Sequence, residues 1–282
     1  MTHILEYLLI FILSFNTAYS NLPKPTPTPT PRPTSTPKPT PKPIVGSPGT
    51  GLTSGTVQTP KGNFSTTVLS FDMTRTKMIT DSASDGDCTT NCPTKSLAEY
   101  VSKNGGSSGI NGTYFCPATY PDCSSKTNSF DFPVYISRLN KWASGFALSW
   151  SHRRAIVYQD GSGVHYQHNS AGFSGGLSSG IINYPGLVDG GNVQIDDNQS
   201  GLSDKQQVKN TKLSLCVVNS QKLQAVIAKN VTMLEFAHVN KALGCQGALN
   251  LDTGGSLAMY YGGRYLYGPG RALPNAVIFA PK

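Results

Sequence analysis

Acidic side chains are scarce in this chain, and one of them stands where chemistry is easy to build. Asp252 ends the run Ala248-Leu-Asn-Leu251 and opens Asp252-Thr-Gly-Gly-Ser256, after which residues 257–261 are mostly apolar again. A strand that delivers a carboxylate to a glycine-rich turn can support proton transfer, with turn amides turned toward an anion. D-T-G is also the local signature of an aspartic protease. Two carboxylates sharing a proton do that chemistry, so one copy demands a second copy or a homodimer. The chain has no second D-T-G, and this one comes thirty residues before the end, so the protease reading is set aside.

A second turn has the same design. Ile110-Asn111-Gly112-Thr113-Tyr114-Phe115 brings a short apolar stretch to a polar amide beside glycine. Other motifs carry less. Gly172-Phe-Ser174-Gly-Gly176 matches a nucleophile elbow, which needs a strand before and a helix after; His-Asn-Ser-Ala and Leu-Ser-Ser-Gly flank it instead, so a surface loop is expected. His165 and His168, three apart on a strand, point to opposite faces and do not form a metal site. Asp81-Ser-Ala-Ser-Asp85-Gly-Asp87 has Ala83 where a calcium loop needs a ligand and reads as an acidic turn. Asn63, Asn111, Asn198 and Asn230 begin N-x-S/T sequons. No cofactor is called for, and a divalent cation has no support in these patterns.

The elements that must position these turns begin late. Residues 4–15 form an apolar run of signal-peptide length, with Ala18-Tyr-Ser20 at cleavage-site spacing, although the only basic group ahead of it is His3 and Glu6 intrudes. A signal peptide is expected over 1–20. Proline at nearly every second position from 21 to 43 fixes φ and removes donors, so a Pro/Thr-rich linker is expected over 21–56, with the domain at 57–282. This organisation implies a secreted or cell-surface protein, with the linker able to reach through a cell wall. The spacer holds four of the 23 basic side chains and the leader one of the 15 acidic ones, leaving 19 against 14 in the domain. That mild, scattered excess tolerates an anionic ligand and does not argue for nucleic acid.

Six cysteines after an export signal are expected to form disulfides. Of the fifteen connectivities, the local pairs Cys88–Cys92 and Cys116–Cys123 are expected, with Cys216–Cys245 tying a strand to a helix end. Zinc spacing fails for lack of a second half-site. Residues 66–73 alternate as a strand, 93–103 read as a helix, and residues 44–56 as loose chain. Residues 212–219 and 222–229 form a hairpin. Thr232-Met-Leu-Glu235 is a capping box opening a helix that Gly244 stops, and a strand over 247–251 follows. Strand, helix and strand in that order predict a crossover into a parallel pair. The fold class expected is α+β: one disulfide-bonded domain with a mixed, strongly twisted β-sheet flanked by a few helices.

Together the two turns resemble the phosphodiester glycosidase family, in which a motif like A-I-N-G-G-F-F is followed much later by a helix and N-L-D-G-G-G-S. Here these are Ile110 to Phe115 and Asn250-Leu-Asp-Thr-Gly-Gly-Ser256, then Gly270-Arg271 and the strand-like Asn275-Ala-Val-Ile-Phe279. The likeness runs in order over residues 57–281. It implies hydrolysis of a sugar-1-phosphodiester at the anomeric C–O bond, with a phosphorylated glycan as partner. Asp252 would be the essential carboxylate, and Asn111 would hold a sugar hydroxyl or fix Asp252. Gly112 and Thr113 would make room for and contact substrate, and the amides of Gly254, Gly255 and Ser256 would hold phosphate. Arg271 and Lys212 would supply positive charge. Three positions depart from the pattern. Thr253 replaces a glycine, Asp189 stands where arginine is common, and Lys212 falls near another such arginine. Lysine and aspartate cannot reproduce arginine's fork, so the phosphate grip is altered. The alternative is a non-catalytic wall- or glycan-binding module presenting Tyr114, Tyr120, Tyr260, Tyr261, Tyr265 and Tyr267 to sugars.

Overall fold

The computed structural model describes residues 49–143, 154–196 and 201–282. The expected signal peptide, residues 21–48 of the expected linker and the Asn198 sequon lie outside these residues. In chain order the first elements are β1 (Thr50–Thr59), β2 (Gly62–Asp72), β3 (Thr76–Ser82), helix α1 (Leu97–Lys103) and β4 (Ser108–Asn111). The middle of the chain supplies β5 (Val134–Ile136), β6 (Lys141–Ala143), β7 (Ala155–Asp160), β8 (Gly163–Gln167), β9 (Ser179–Asn183), β10 (Gly186–Asp189) and β11 (Asn192–Val193). Then follow α2 (Asp204–Gln207), β12 (Asn210–Asn219), β13 (Lys222–Val231), α3 (Met233–Ala242) and β14 (Gly247–Asn250). The chain ends on β15 (Met259–Tyr261), β16 (Arg264–Tyr267) and β17 (Asn275–Pro281).

Among the described residues these make an α+β domain with few helices and three sheets. A seven-stranded sheet has the order β1-β2-β13-β12-β14-β10-β11, and two five-stranded sheets run β16-β15-β4-β17-β3 and β6-β5-β9-β7-β8. The middle strands of the large sheet are buried on both faces. Leu213, Leu215, Ala225 and Ile227 pack into a core shared with Ile110, Val134, Val157, Val277 and Phe279 of the smaller sheets. The alternate residues Cys216, Val226 and Ala228 pack beneath Met233, Phe236, Ala237 and Val239 of α3. Double coverage is why β12 and β13 read as nearly unbroken apolar runs instead of alternating ones.

Local signals hold. Thr232 and Glu235 form the capping box, with Thr232 Oγ1 accepting from Glu235 N at 3.2 Å, and Gly244 leaves the helix with φ +84°. All three disulfides are the expected ones: Cys88–Cys92, Cys116–Cys123 and Cys216–Cys245. Three expectations change. Residues 50–56, read as loose chain, are edge strand: β1 pairs residue for residue with β2, its polar composition matching a mostly exposed strand. Helix α1 starts at Leu97 instead of 93, because Ser96 and Glu99 make a second capping box that fixes its first turn. The crossover through α3 yields no parallel pair. Strand β14 lands beyond β12 and pairs antiparallel with β12 and β10, so β13 and β14 run the same way with one strand between them.

Candidate active site

The turns after β4 and β14 meet. Asp252 N donates to Gly112 O at 3.1 Å. Asn111 is fully buried, its Nδ2 donates to Asp252 O at 2.8 Å, and its Oδ1 accepts from Ala258 N at 2.9 Å. Residues 141 apart in sequence are thereby joined side chain to backbone, beside the backbone bond from Asp252 to Gly112. Asn111 thus fixes the Asp252 turn, and its side chain is buried away from the solvent.

A cleft of about 490 Å³ opens over this junction, within the usual range for small-ligand sites. Asp252, Thr253 and Gly254 form one wall and Tyr114, Asp131, Phe132 and Tyr184 another; the segment from Ser203 to Asn210 closes a third side. Tyr120 stands at the rim, 41% exposed, on the loop closed by Cys116–Cys123. Lys205 Nζ lies 4.4 Å from its ring centroid and Arg271 Cζ 5.2 Å, so two cations flank one exposed ring at the mouth of the cleft.

Asp252 is only partly open to solvent, and burial pushes its pKa up to about 7. Hydrogen bonds from Ser256 and from Thr253 N (2.7 Å), and the charge of Arg271, pull it down, while the charge of Asp131 pushes it up further. Tyr114 O–H accepts from Asn250 Nδ2 at 2.6 Å and from Gln206 Nε2 at 3.1 Å, and burial keeps it firmly protonated.

Several predicted residues take other positions. Gly112 leaves room for the Asn275 side chain, which an added Cβ would strike. Thr113 is buried and bonded through N (2.9 Å) and Oγ1 (3.1 Å) to Asn275, so it holds β17 against the turn and does not face the cleft. Ser256 N donates to Thr253 O at 3.3 Å, and Gly255 packs against the Arg271 guanidinium. The expected three-amide phosphate nest is therefore not formed: Ser256 N is engaged and Gly255 does not line the cleft. Gly254, with φ +64°, does. Lys212 is 1% exposed behind the wall, its Nζ donating to Gln206 O (3.1 Å), Val208 O (3.3 Å) and Asn210 Oδ1 (2.8 Å). It braces the 203–210 segment instead of meeting ligand. Asp189 pairs with Gly247, at the far end of β14 from Asp252, and takes no charge away from the cleft.

The remaining motifs settle as surface or scaffold. Residues 174–176 are exposed loop. His165 Nε2 faces both Asp160 Oδ1 (3.0 Å) and Ser162, and His168 Nδ1 faces the Tyr166 hydroxyl at 2.8 Å. Asp81 and Asp85 grip Arg138 at 3.0 and 2.6 Å. Among the described residues, no group of three or more His, Cys, Asp or Glu side chains could hold a metal. Sequence reasoning missed Asp131, Phe132, Tyr184, Lys205 and Gln206. Only faint signals marked them: an acid inside the apolar Phe130-Asp-Phe132, and the capping pattern Ser203-x-x-Gln206.

Residues 109–280 match the phosphodiester glycosidase family, more than half of the chain, and the protein belongs to that family. No curated protein matches. Three solved structures share the fold. The catalytic domain of zebrafish N-acetylglucosamine-1-phosphodiester alpha-N-acetylglucosaminidase, auto-inhibited by its pro-peptide, is 12% identical with a TM-score of 0.63, covering 84% of this chain and 85% of that one. A hypothetical protein from Synechocystis is 14% identical with a TM-score of 0.57; the match covers 83% of this chain and 62% of that one. A putative exported protein from Burkholderia pseudomallei is 12% identical with a TM-score of 0.53, covering 78% and 74%.

Proposed function

We propose that the protein is an extracytoplasmic hydrolase that cleaves the glycosidic C–O bond of a sugar-1-phosphodiester in a glycan, with Asp252 as the essential carboxyl group. The observation that carries this reading is the clamped junction of the two motif turns, which puts one acid with a pKa near 7 on a cleft with cations at its mouth. Three disulfides suit an oxidising compartment outside the cytoplasm.

In this mechanism the sugar lies against Tyr114, Phe132 and Tyr184, and the phosphate sits toward Lys205 and Arg271. Water attacks the anomeric carbon and gives its proton to the Asp252 carboxylate. The C–O bond breaks with its electron pair passing to the phosphate oxygen, and the leaving group departs as a phosphomonoester beside the two cations. Such a group leaves readily, so water activation matters more than protonation of the leaving oxygen. A base with a pKa near the working pH combines availability with strength, which an ordinary carboxylate does not.

The test is hydrolysis of a panel of sugar-1-phosphodiesters in ¹⁸O water. Label in the released sugar, absent with Asp252→Asn, is the expected result. Label in the phosphomonoester places cleavage at phosphorus and overturns the reading. Binding without turnover favours the carbohydrate-binding alternative, for which the exposed Tyr120 ring is the specific observation.

A further inference from the structure

Asp131 is a second carboxyl group on the cleft, and no family motif in the sequence contains it. Its backbone N donates to Tyr114 O at 3.0 Å, which fixes its position relative to the ring that forms the cleft wall. The side chain is partly buried, lines the same cavity as Asp252, and accepts no hydrogen bond from any described residue. Its carboxylate is therefore open to whatever occupies the cleft. The cations that act on Asp131 are Lys126 and Arg154, and Arg154 also lies 4.8 Å from the Phe132 ring centroid. On the other side of the cleft, Asp252 is acted on by Arg271 and by Asp131 itself.

We propose that Asp131 is the second carboxylate of the reaction, facing the positive charge that develops on the anomeric carbon while Asp252 takes the proton from water. This rests on the hydrolytic reading of the cleft. The division of labour follows from the surroundings. Burial raises the pKa of Asp131 on balance, and the nearby charges of Lys126 and Arg154 oppose that rise and favour the anion. An anion held there opposes the charge of an oxocarbenium-like centre with little reorganisation. It also makes ionisation of Asp252 harder, which keeps that group a strong base. The proton balance is unchanged: Asp131 neither gains nor loses a proton in the cycle.

The test is Asp131→Asn, with Asp131→Ser as a second variant, each checked for folding by circular dichroism. In the expected result kcat falls at least about tenfold with KM little changed. The pH midpoint of Asp252, read by carboxyl ¹³C NMR with no substrate present, moves to lower pH in both variants. A folded variant that keeps kcat and the Asp252 midpoint overturns the proposal, and so does one that changes KM alone. The titration separates the two readings. An inactive wild type whose Asp252 still responds to Asp131 marks failure of the hydrolytic reading. An active wild type whose Asp252 ignores Asp131 marks failure of this one.

Discussion

Asp252 should make the protein less stable as pH rises, and Asp252→Asn should remove that dependence. A carboxyl group with a pKa of about 7 in the folded state and 3.8 in the unfolded chain holds its proton in the native state after the unfolded chain has lost it. Between those values the native state binds more protons, so unfolding becomes easier as pH rises and the full penalty is present above the folded pKa. At 1.36 kcal/mol per pH unit the difference amounts to about 4 kcal/mol. Water in the cleft screens part of it, leaving about 2 to 4 kcal/mol. Asparagine has nearly the same shape and can still accept from Thr253 N through its Oδ1, but it carries no charge to desolvate. Urea unfolding of both proteins at pH 3.5, 5, 6.5 and 8 checks this. The variant should gain on wild type by that amount across the series, whatever the offset at pH 3.5. Parallel stability curves would show an ordinary Asp252 pKa and remove the physical basis for its role as base.

Three further outcomes are expected. Asn111→Ala leaves Ala258 N and Asp252 O without their buried partners, costing about 3 kcal/mol, read as a lower urea midpoint together with loss of turnover. Lys212, its pKa lowered by burial to about 8, gives up its proton in the folded state before the unfolded chain does. Stability from this group therefore rises with pH between about 8 and 10.5, and Lys212→Met should lose that rise when unfolding is compared at pH 7.5 and 10. Cys216–Cys245 closes 29 residues and fastens the end of α3 to β12, so replacing both by serine should cost roughly 3 to 4 kcal/mol in chemical denaturation.

Features set by near neighbours were legible in the sequence; those set by side-chain direction were not. Thr232 and Glu235 cap one helix, Ser220 and Gln221 sit at one hairpin, and the cysteines of two disulfides lie four and seven residues apart, so local chemistry decides them. Strand β1 was invisible because its partner, not its composition, makes it a strand. Asn111 and Thr113 were correctly placed at the junction, yet their amide and hydroxyl turn inward to the backbone and to Asn275 instead of outward to ligand. Lys212 sits in β12 next to the cleft wall, but its stem passes behind it. Asp131 and Lys205 reach the cleft from loop and short helix, where no periodicity marks a facing side.

The choice of amides beneath the cleft makes the behaviour of Asp252 intelligible. Four buried asparagines, Asn111, Asn183, Asn250 and Asn275, end or begin β4, β9, β14 and β17 where those strands converge. Asn183 Nδ2 donates to Asn250 O at 2.8 Å and its Oδ1 accepts from Tyr114 N at 3.3 Å, while Asn275 Oδ1 accepts from Thr113 N at 2.9 Å. An amide can both donate and accept, so it can join two strand ends without bringing a charge into the interior. Carboxylates at these places would accept but not donate and would repel Asp252; lysine or arginine would pull its proton away. With neutral joints the electrostatics of the cleft reduce to a few groups: Asp252, Asp131 and the cations near them. The scaffold can then be rigid and the acid still tunable, because the groups that fix its backbone differ from those that set its charge.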